Sequence, residues 1–199
     1  VSIGEGIAEI ARQRRRSAGR ASSMALVLGG AIGLVASLIL VIERFELLMD
    51  PTYVPSCSLN PVLSCGSVMT STQAAVFGFP NPVLGIPSFT VVLVAGILLV
   101  AEVPLPQWFW QGLAIGMTAG VVFVHWLIFQ SLYRIGALCP YCMTVWAVSV
   151  PLWVVAASHS FSTEPVFLRR WKWTFVVLWF TVVVLLCAER FWSYWSTLV

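Results

Sequence analysis

The sequence predicts an all-α integral membrane protein with five transmembrane helices, and its composition, spacing and charge distribution each support this. Apolar residues make up 59% of the 199 positions and charged residues 10%, with a mean hydropathy of +0.92. An ordinary globular domain is about half apolar and a quarter charged, so a water-soluble fold has no means of covering this much apolar surface. The apolar residues also fall into five runs, each long enough or nearly so to cross ~30 Å of hydrocarbon as a helix of about 20 residues. Helices are required because lipid offers no partner to open backbone groups. The basic residues, finally, are divided unequally between the segments that join the runs.

The first element is a basic segment, residues 1–23, containing Arg12, Arg14, Arg15, Arg16 and Arg20. A span at 24–42 follows at once, so the arginines read as a topology signal under the positive-inside rule and not as a nucleic-acid site. The apolar run is too long for the core of a signal peptide, and no small-x-small cleavage site followed by a soluble protein comes after it. Next comes a loop at about 43–82, rich in Pro, Ser, Gly and Asn. Loops of this length are uncommon in compact domains unless they carry function. Within it, residues 67–76 are expected to form a short helix across the mouth of the bundle.

The second span is read at 83–101 and, after a short turn at 102–107, the third at 108–133. The fourth occupies 138–157 and the fifth 174–188, where Trp171, Trp173, Trp192 and Trp195 suit interfacial anchors. No repeat, low-complexity tract or second domain interrupts 24–199, which reads as one transmembrane domain. With the N-terminus inside, Arg169, Arg170 and Lys172 join the five N-terminal arginines in the cytoplasm, leaving only Arg44, Arg134 and Arg190 outside. That division places the N-terminus in the cytoplasm and the 43–82 loop outside.

Four cysteines then reach the outer face: Cys57 and Cys65 in the loop, and Cys139 and Cys142 in a Cys-Pro-Tyr-Cys motif opening the fourth span. Disulfides persist in oxidising compartments, and the CxxC spacing suits reversible dithiol chemistry. Cys139 and Cys142, three apart, share a helix face that Trp146 extends by a turn. The helix N-terminus favours a thiolate at Cys139, and Pro140 fits where no N–H donor is needed. A thiolate beside an aromatic-lined pocket suits a flat, lipid-soluble electron acceptor. Two other readings stand beside this one. The loop pair alone is also what a structural staple looks like, and four thiolates at one face describe a non-enzymatic metal-binding protein, although Cys-x7-Cys is looser than common zinc pairs and no metal is expected. Cys187 reads as a small apolar residue in a helix interface. His125 reads equally as a proton carrier or as an interhelical packing residue.

The ordered set Cys57, Cys65, Ser71, Phe77-Gly78-Phe79-Pro80-Asn81, Leu84-Gly85 and Cys139-Pro140-Tyr141-Cys142 resembles the vitamin K epoxide reductase family in its bacterial form, over 24 to about 157. The resemblance implies that four of the five helices form a quinone-binding bundle capped by the extracytoplasmic loop, in the plasma (inner) membrane. It implies that Cys57 exchanges with a partner's thiols, that Cys65 passes electrons to Cys139, and that Cys142 faces a quinone of the menaquinone or ubiquinone type. Ser71 and Asn81 match polar positions near the pocket or its cap, and Trp146 stands where the animal enzymes have a tyrosine. Bacterial relatives often carry a fused thioredoxin-like domain after the fifth span. With none before Val199, the resemblance implies a separate thioredoxin-fold partner of the DsbA type, re-oxidised by this chain so that exported proteins gain disulfides. Reduction of vitamin K epoxide is the alternative reaction on the same scaffold.

Overall fold

The computed structural model describes residues 3–160 and 166–196, with side chains for 19–160 and 170–196. Among these are seven α-helices: α1 (Ile3–Met49), α2 (Cys65–Met69), α3 (Pro82–Val100), α4 (Gln107–Gln130), α5 (Pro140–Ser160), α6 (Val166–Arg190) and α7 (Trp192–Trp195). Five stretches are long and apolar enough to cross a membrane: Gly19–Met49, Pro82–Val100, Gln107–Ile135, Pro140–Ser160 and Arg170–Arg190. The described residues form no strand, so the chain is an all-α, five-span membrane protein. The side chains of Arg12, Arg14, Arg15, Arg16 and Arg169 lie outside the described set.

The helix ends differ from the sequence reading where tertiary contacts satisfy groups that hydropathy treats as boundaries. α1 does not stop at residue 42 but continues to Met49, because Glu43 is buried with its carboxylate fully partnered rather than marking an exit into water. The outer loop therefore begins at Asp50, whose carboxylate accepts from the Thr52 amide at 2.8 Å and hydroxyl at 2.6 Å. The single cap helix expected at 67–76 is two pieces, α2 and a 3₁₀ turn at Thr72–Ala75. The break falls at Ser71, whose hydroxyl donates to the Val68 carbonyl at 2.6 Å and so competes with the helical pattern. The fourth span starts at Pro140, which leaves Cys139 just ahead of the helix.

α1 packs on α3 and α5, and α5 on α4, with α6 against α5. The α1–α3 seam is closed by glycine. A Cβ at Gly30 would lie 2.8 Å from the Leu93 amide nitrogen, and one at Gly96 would lie 2.7 Å from that of Val27. Backbones approach this closely in lipid only where side chains are small. Leu26, Phe89, Val92, Trp110, Leu152 and Val155 fill the core at one end of the bundle. At the other end, Val124, Ile128, Leu132, Leu138 and Trp146 form a second core, against which the half-buried Cys187 packs.

α4 ends in a π turn at Ser131–Ile135, closed by the Gly136 amide donating to the Ser131 carbonyl at 3.0 Å, with Gly136 at φ +70°. A left-handed residue is what a helix terminus of this kind requires, and glycine supplies it without a Cβ clash. Arg190 on α6 donates from Nε to the Leu132 carbonyl at 2.8 Å and so joins the fifth span to this turn. His125 is the second tie between α4 and α6. The Trp179 indole N–H donates to His125 Nε2 at 2.7 Å, and His125 Nδ1 lies 2.8 Å from the Val121 carbonyl. An indole only donates, so Nε2 accepts and Nδ1 carries the hydrogen. Both nitrogens are engaged, which is the contact the interhelical reading of His125 describes.

Trp171, Trp173 and Trp192 are exposed beside the ends of the fifth span, as interfacial anchors are, whereas Trp195 is half-buried against the core. Substituting Gly30 or Gly96 by valine should lower stability by about 1–3 kcal/mol through overpacking. Gly116 has nothing within 4 Å of an added Cβ, so Gly116→Ala should be neutral or stabilising by up to about 1 kcal/mol. Thermal unfolding of the purified protein in detergent checks both, and an equal loss in all three variants would show that the seam is not where the backbones are tightest.

Candidate redox site

The outer loop is tied to the bundle at two places. At its start, Glu43 on α1 accepts from the Tyr53 hydroxyl at 3.0 Å, from the Ser56 amide at 3.2 Å, and from the Ser56 hydroxyl. The bond to Glu43 raises the pKa of the Tyr53 phenol, since ionising it beside a carboxylate is unfavourable. Further on, Leu63 pairs with Leu138 in an isolated parallel bridge. The Leu138 amide donates to the Val62 carbonyl at 2.7 Å and the Ser64 amide to the Leu138 carbonyl at 2.9 Å. Asn60 helps by accepting the Val62 and Leu63 amides on its side-chain oxygen.

That bridge brings together the residues that follow it in each segment. Cys65, two beyond Leu63, opens α2, and Cys139, one beyond Leu138, precedes α5. Their sulfurs lie 3.0 Å apart. Cys65 is joined to Cys57 in a disulfide, and the three sulfurs lie within 4.8 Å of one another. Cys139 and Cys142 are free. Leu40, Met69 and Val68 pack around the cluster, leaving Cys65 and Cys139 with 0% exposure and Cys57 with 5%, so the only edge open to solvent belongs to Cys57. Two of the clustered sulfurs are bonded to each other and so have no thiolate to offer a metal.

Cys139 occupies the capping position of α5, and the Cys142 amide donates to its sulfur at 3.4 Å. The Cys142 thiol also donates to it and is the largest cause of a lowered Cys139 pKa. The backbone amides of Cys142 and Tyr141 act in the same direction, against burial and the Glu43 carboxylate, which push it up. The sequence argument placed both cysteines on one helix face. Cys139 caps the helix and Cys142 lies in its first turn, so the two sulfurs are neighbours on that face, as the spacing predicts, while Cys139 alone also meets Cys65.

Cys142 lies on the wall of a cavity of about 700 Å³ enclosed by α1, α3, α4, α5 and the cap. Cys57, Cys65 and Cys139 do not line it, whereas Ser71, Asn81 and Trp146 do. Asn81 also holds the cap together, its amide donating to the Gln73 carbonyl at 2.7 Å and its oxygen accepting from the Val76 amide at 3.1 Å. The Ser71 hydroxyl is engaged by Val68. Trp146 is buried on the cavity wall, with an indole N–H as its one polar group. A volume in the range of small-ligand pockets, with a mostly apolar lining and a redox-capable sulfur on the wall, fits a flat apolar acceptor such as a quinone.

Two residues escaped the sequence reading, Glu43 and Arg44. Both entered it only through their charge, Glu43 as the end of a span and Arg44 as an outside cation. The signal available was their adjacency at the end of an apolar run, since neighbours in a helix point about 100° apart. Glu43 faces the loop and Arg44 lines the cavity.

The model of the vitamin K epoxide reductase family matches residues 24–157, a segment that contains Cys57, Cys65, Cys139 and Cys142. No curated protein matches the chain.

With the loop disulfide intact and Cys187 replaced by Ala, thiolate ultraviolet absorbance should first rise at a lower pH than for an ordinary cysteine, because the donors around Cys139 favour its thiolate. Cys142→Ala removes the main stabilising donor and should move that first rise to higher pH. An unchanged midpoint in the Cys142 variant would mean that Cys139 is not poised by its neighbour.

Proposed function

We propose, since the chain belongs to the vitamin K epoxide reductase family, that it re-oxidises a thioredoxin-fold partner of the DsbA type and passes the electrons to a quinone. Membership makes it a membrane oxidoreductase of the disulfide and quinone class. The choice of partner and the direction of flow are our reading, and the observation that carries it is the 3.0 Å contact between Cys65 and Cys139. Thiol–disulfide exchange needs the attacking sulfur in contact with the sulfur it attacks, and this contact joins a loop that can meet a partner to a CxxC that abuts the cavity.

In the proposed cycle a partner thiolate attacks Cys57, the least buried of the three clustered cysteines, and breaks its bond to Cys65. The partner's second thiol then completes the partner's disulfide, leaving Cys57 and Cys65 reduced. Cys65 attacks Cys139 of an oxidised Cys139–Cys142 pair, and Cys142 leaves as thiolate. Cys57 then attacks Cys65, restoring the loop disulfide and releasing Cys139. One disulfide has been consumed and one formed at each exchange, so the CxxC now holds the two electrons. A quinone of the menaquinone or ubiquinone type supplies the acceptor for two electrons and two protons. Cys142, on the cavity wall, delivers the electrons, Cys139 closes the disulfide with it, and Ser71, Asn81 and Trp146 shape the pocket. The basic N-terminal segment is assigned to the cytoplasm, and the loop and CxxC to the outer side of the plasma membrane.

Purified protein should oxidise a reduced DsbA-type substrate in a quinone-dependent manner. Cys57→Ala and Cys65→Ala should each abolish that turnover, and Cys187→Ala should leave it within about twofold, as expected of a residue outside the exchange chain. Turnover that survives loss of either loop cysteine would reduce the loop pair to a staple. In intact cells, a membrane-impermeant thiol reagent should label Cys57 after reduction. Labelling that requires membrane disruption would invert the topology.

A further inference from the structure

The cavity is polar at one end only. Its far end is lined by Trp108, Phe109 and Leu113, and three of the five serines on its wall, at positions 37, 88 and 149, each donate to a carbonyl of their own helix. At the loop end, Ser71 and Asn81 are engaged by the cap backbone, and the Gln73 oxygen accepts from Thr72. Arg44 differs from all of these. Its Nε is buried and has no hydrogen-bond partner, the only such side-chain nitrogen or oxygen among the described residues. Glu43, its neighbour in the chain, is held by Tyr53 and Ser56 on another face.

The position of this group is set by α1. Ser37, Leu40 and Arg44 line the cavity at helical spacings of three and four, on one face. Leu40 packs on Cys57, Cys65 and Cys139, with Cys142 against the same cluster. Arg44, one turn closer to the loop than Leu40, therefore stands at the cysteine end of the cavity, where Cys142 also lines the wall. A buried guanidinium N–H left unbonded is costly, and native structures rarely keep one without a use. An oxygen of an occupant in the cavity is the acceptor that would satisfy it.

We propose that Arg44 binds a carbonyl oxygen of the quinone from its buried Nε–H, fixing the ring with its polar edge toward Cys142. This rests on the quinone reading above. Arginine does not give up its proton at any physiological pH, so Arg44 orients the ring and polarises the carbonyl while the protons taken up come from elsewhere. A lipid phosphate is the other acceptor that a membrane offers, but it belongs at the headgroup surface, whereas this Nε is buried and its residue lines the cavity.

The test uses calorimetric titration of the whole protein in detergent with menadione, which has two carbonyl oxygens, and with methylnaphthalene, which has the related carbon skeleton and none. Arg44→Met should weaken menadione binding by about tenfold to a hundredfold, the range for a hydrogen bond from a charged donor, while methylnaphthalene binding stays within about twofold. Arg44→Lys, which keeps the charge but loses the planar donor at Nε, should fall between Arg44→Met and the native protein. An intact Cys57–Cys65 disulfide and unchanged thermal unfolding establish that each variant is folded, and Arg44→Lys carries the test if Arg44→Met does not fold. Equal losses for both ligands would overturn the assignment by showing that Arg44 only packs, and so would unchanged menadione binding in a folded variant. If the native protein bound no menadione, the quinone reading itself would fail, an outcome distinct from failure of the Arg44 assignment.

Discussion

Two backbone hydrogen bonds, between Leu138 and the 62–64 stretch, set the register on which the site depends. They form the one isolated parallel bridge among the described residues, and they connect a loop to a helix start separated from it by two membrane spans. Side chains in extended backbone alternate in direction, so a slip of one residue would turn Cys65 away from Cys139. Much of the surrounding structure keeps that register. Asn60 holds the turn before the bridge, Ser64 caps α2 through the Ser67 amide, and Glu43 fixes the approach of the chain from α1. Membrane helices supply the rigidity, since their cores leave the ends of α1 and α5 nowhere to drift.

Burial and helix capping act in opposite directions on the same sulfur. Removing Cys139 from water disfavours its thiolate, while the donors gathered at the start of α5 favour it, and the donors prevail. This division of labour follows from Pro140. Proline suits the first helical position and carries no N–H, so the amides that reach the Cys139 sulfur come from Tyr141 and Cys142. The resulting geometry points Cys139 at the loop and leaves Cys142 on the cavity wall, one residue serving each side of the motif.

The spans and the pairing of cysteines at one face were legible in the sequence because both rest on local signals: apolar runs, a CxxC and a charge imbalance. The family was legible for the same reason, through an ordered set of short motifs. What stayed hidden depends on contacts between distant residues. The extension of α1 to Met49 requires Tyr53 and Ser56 to fold back on Glu43, and no window along the chain reports that. The bridge at Leu63 and Leu138 is too short to leave a period-two pattern. Ser71 lines the cavity, but its bond to Val68, which divides the cap in two, is a conformational choice that composition does not specify. The contact of His125 with Trp179, on another helix, is likewise invisible along the chain.

The sulfur cluster has almost no surface. With Cys65 and Cys139 fully enclosed and Cys57 showing only an edge, the site acts as an insulated contact. Small soluble thiols exchange with disulfides by direct collision at sulfur, and shielding of the sulfur slows their approach. A folded protein that can grip the loop and draw Cys57 outward meets a different barrier, because its binding energy can offset the opening. In the proposed cycle, selectivity between protein thiols and the small-molecule thiol pool would arise from packing around the sulfurs rather than from the chemistry of the exchange itself, and a loop loosened at Glu43 would leak electrons without losing a single cysteine.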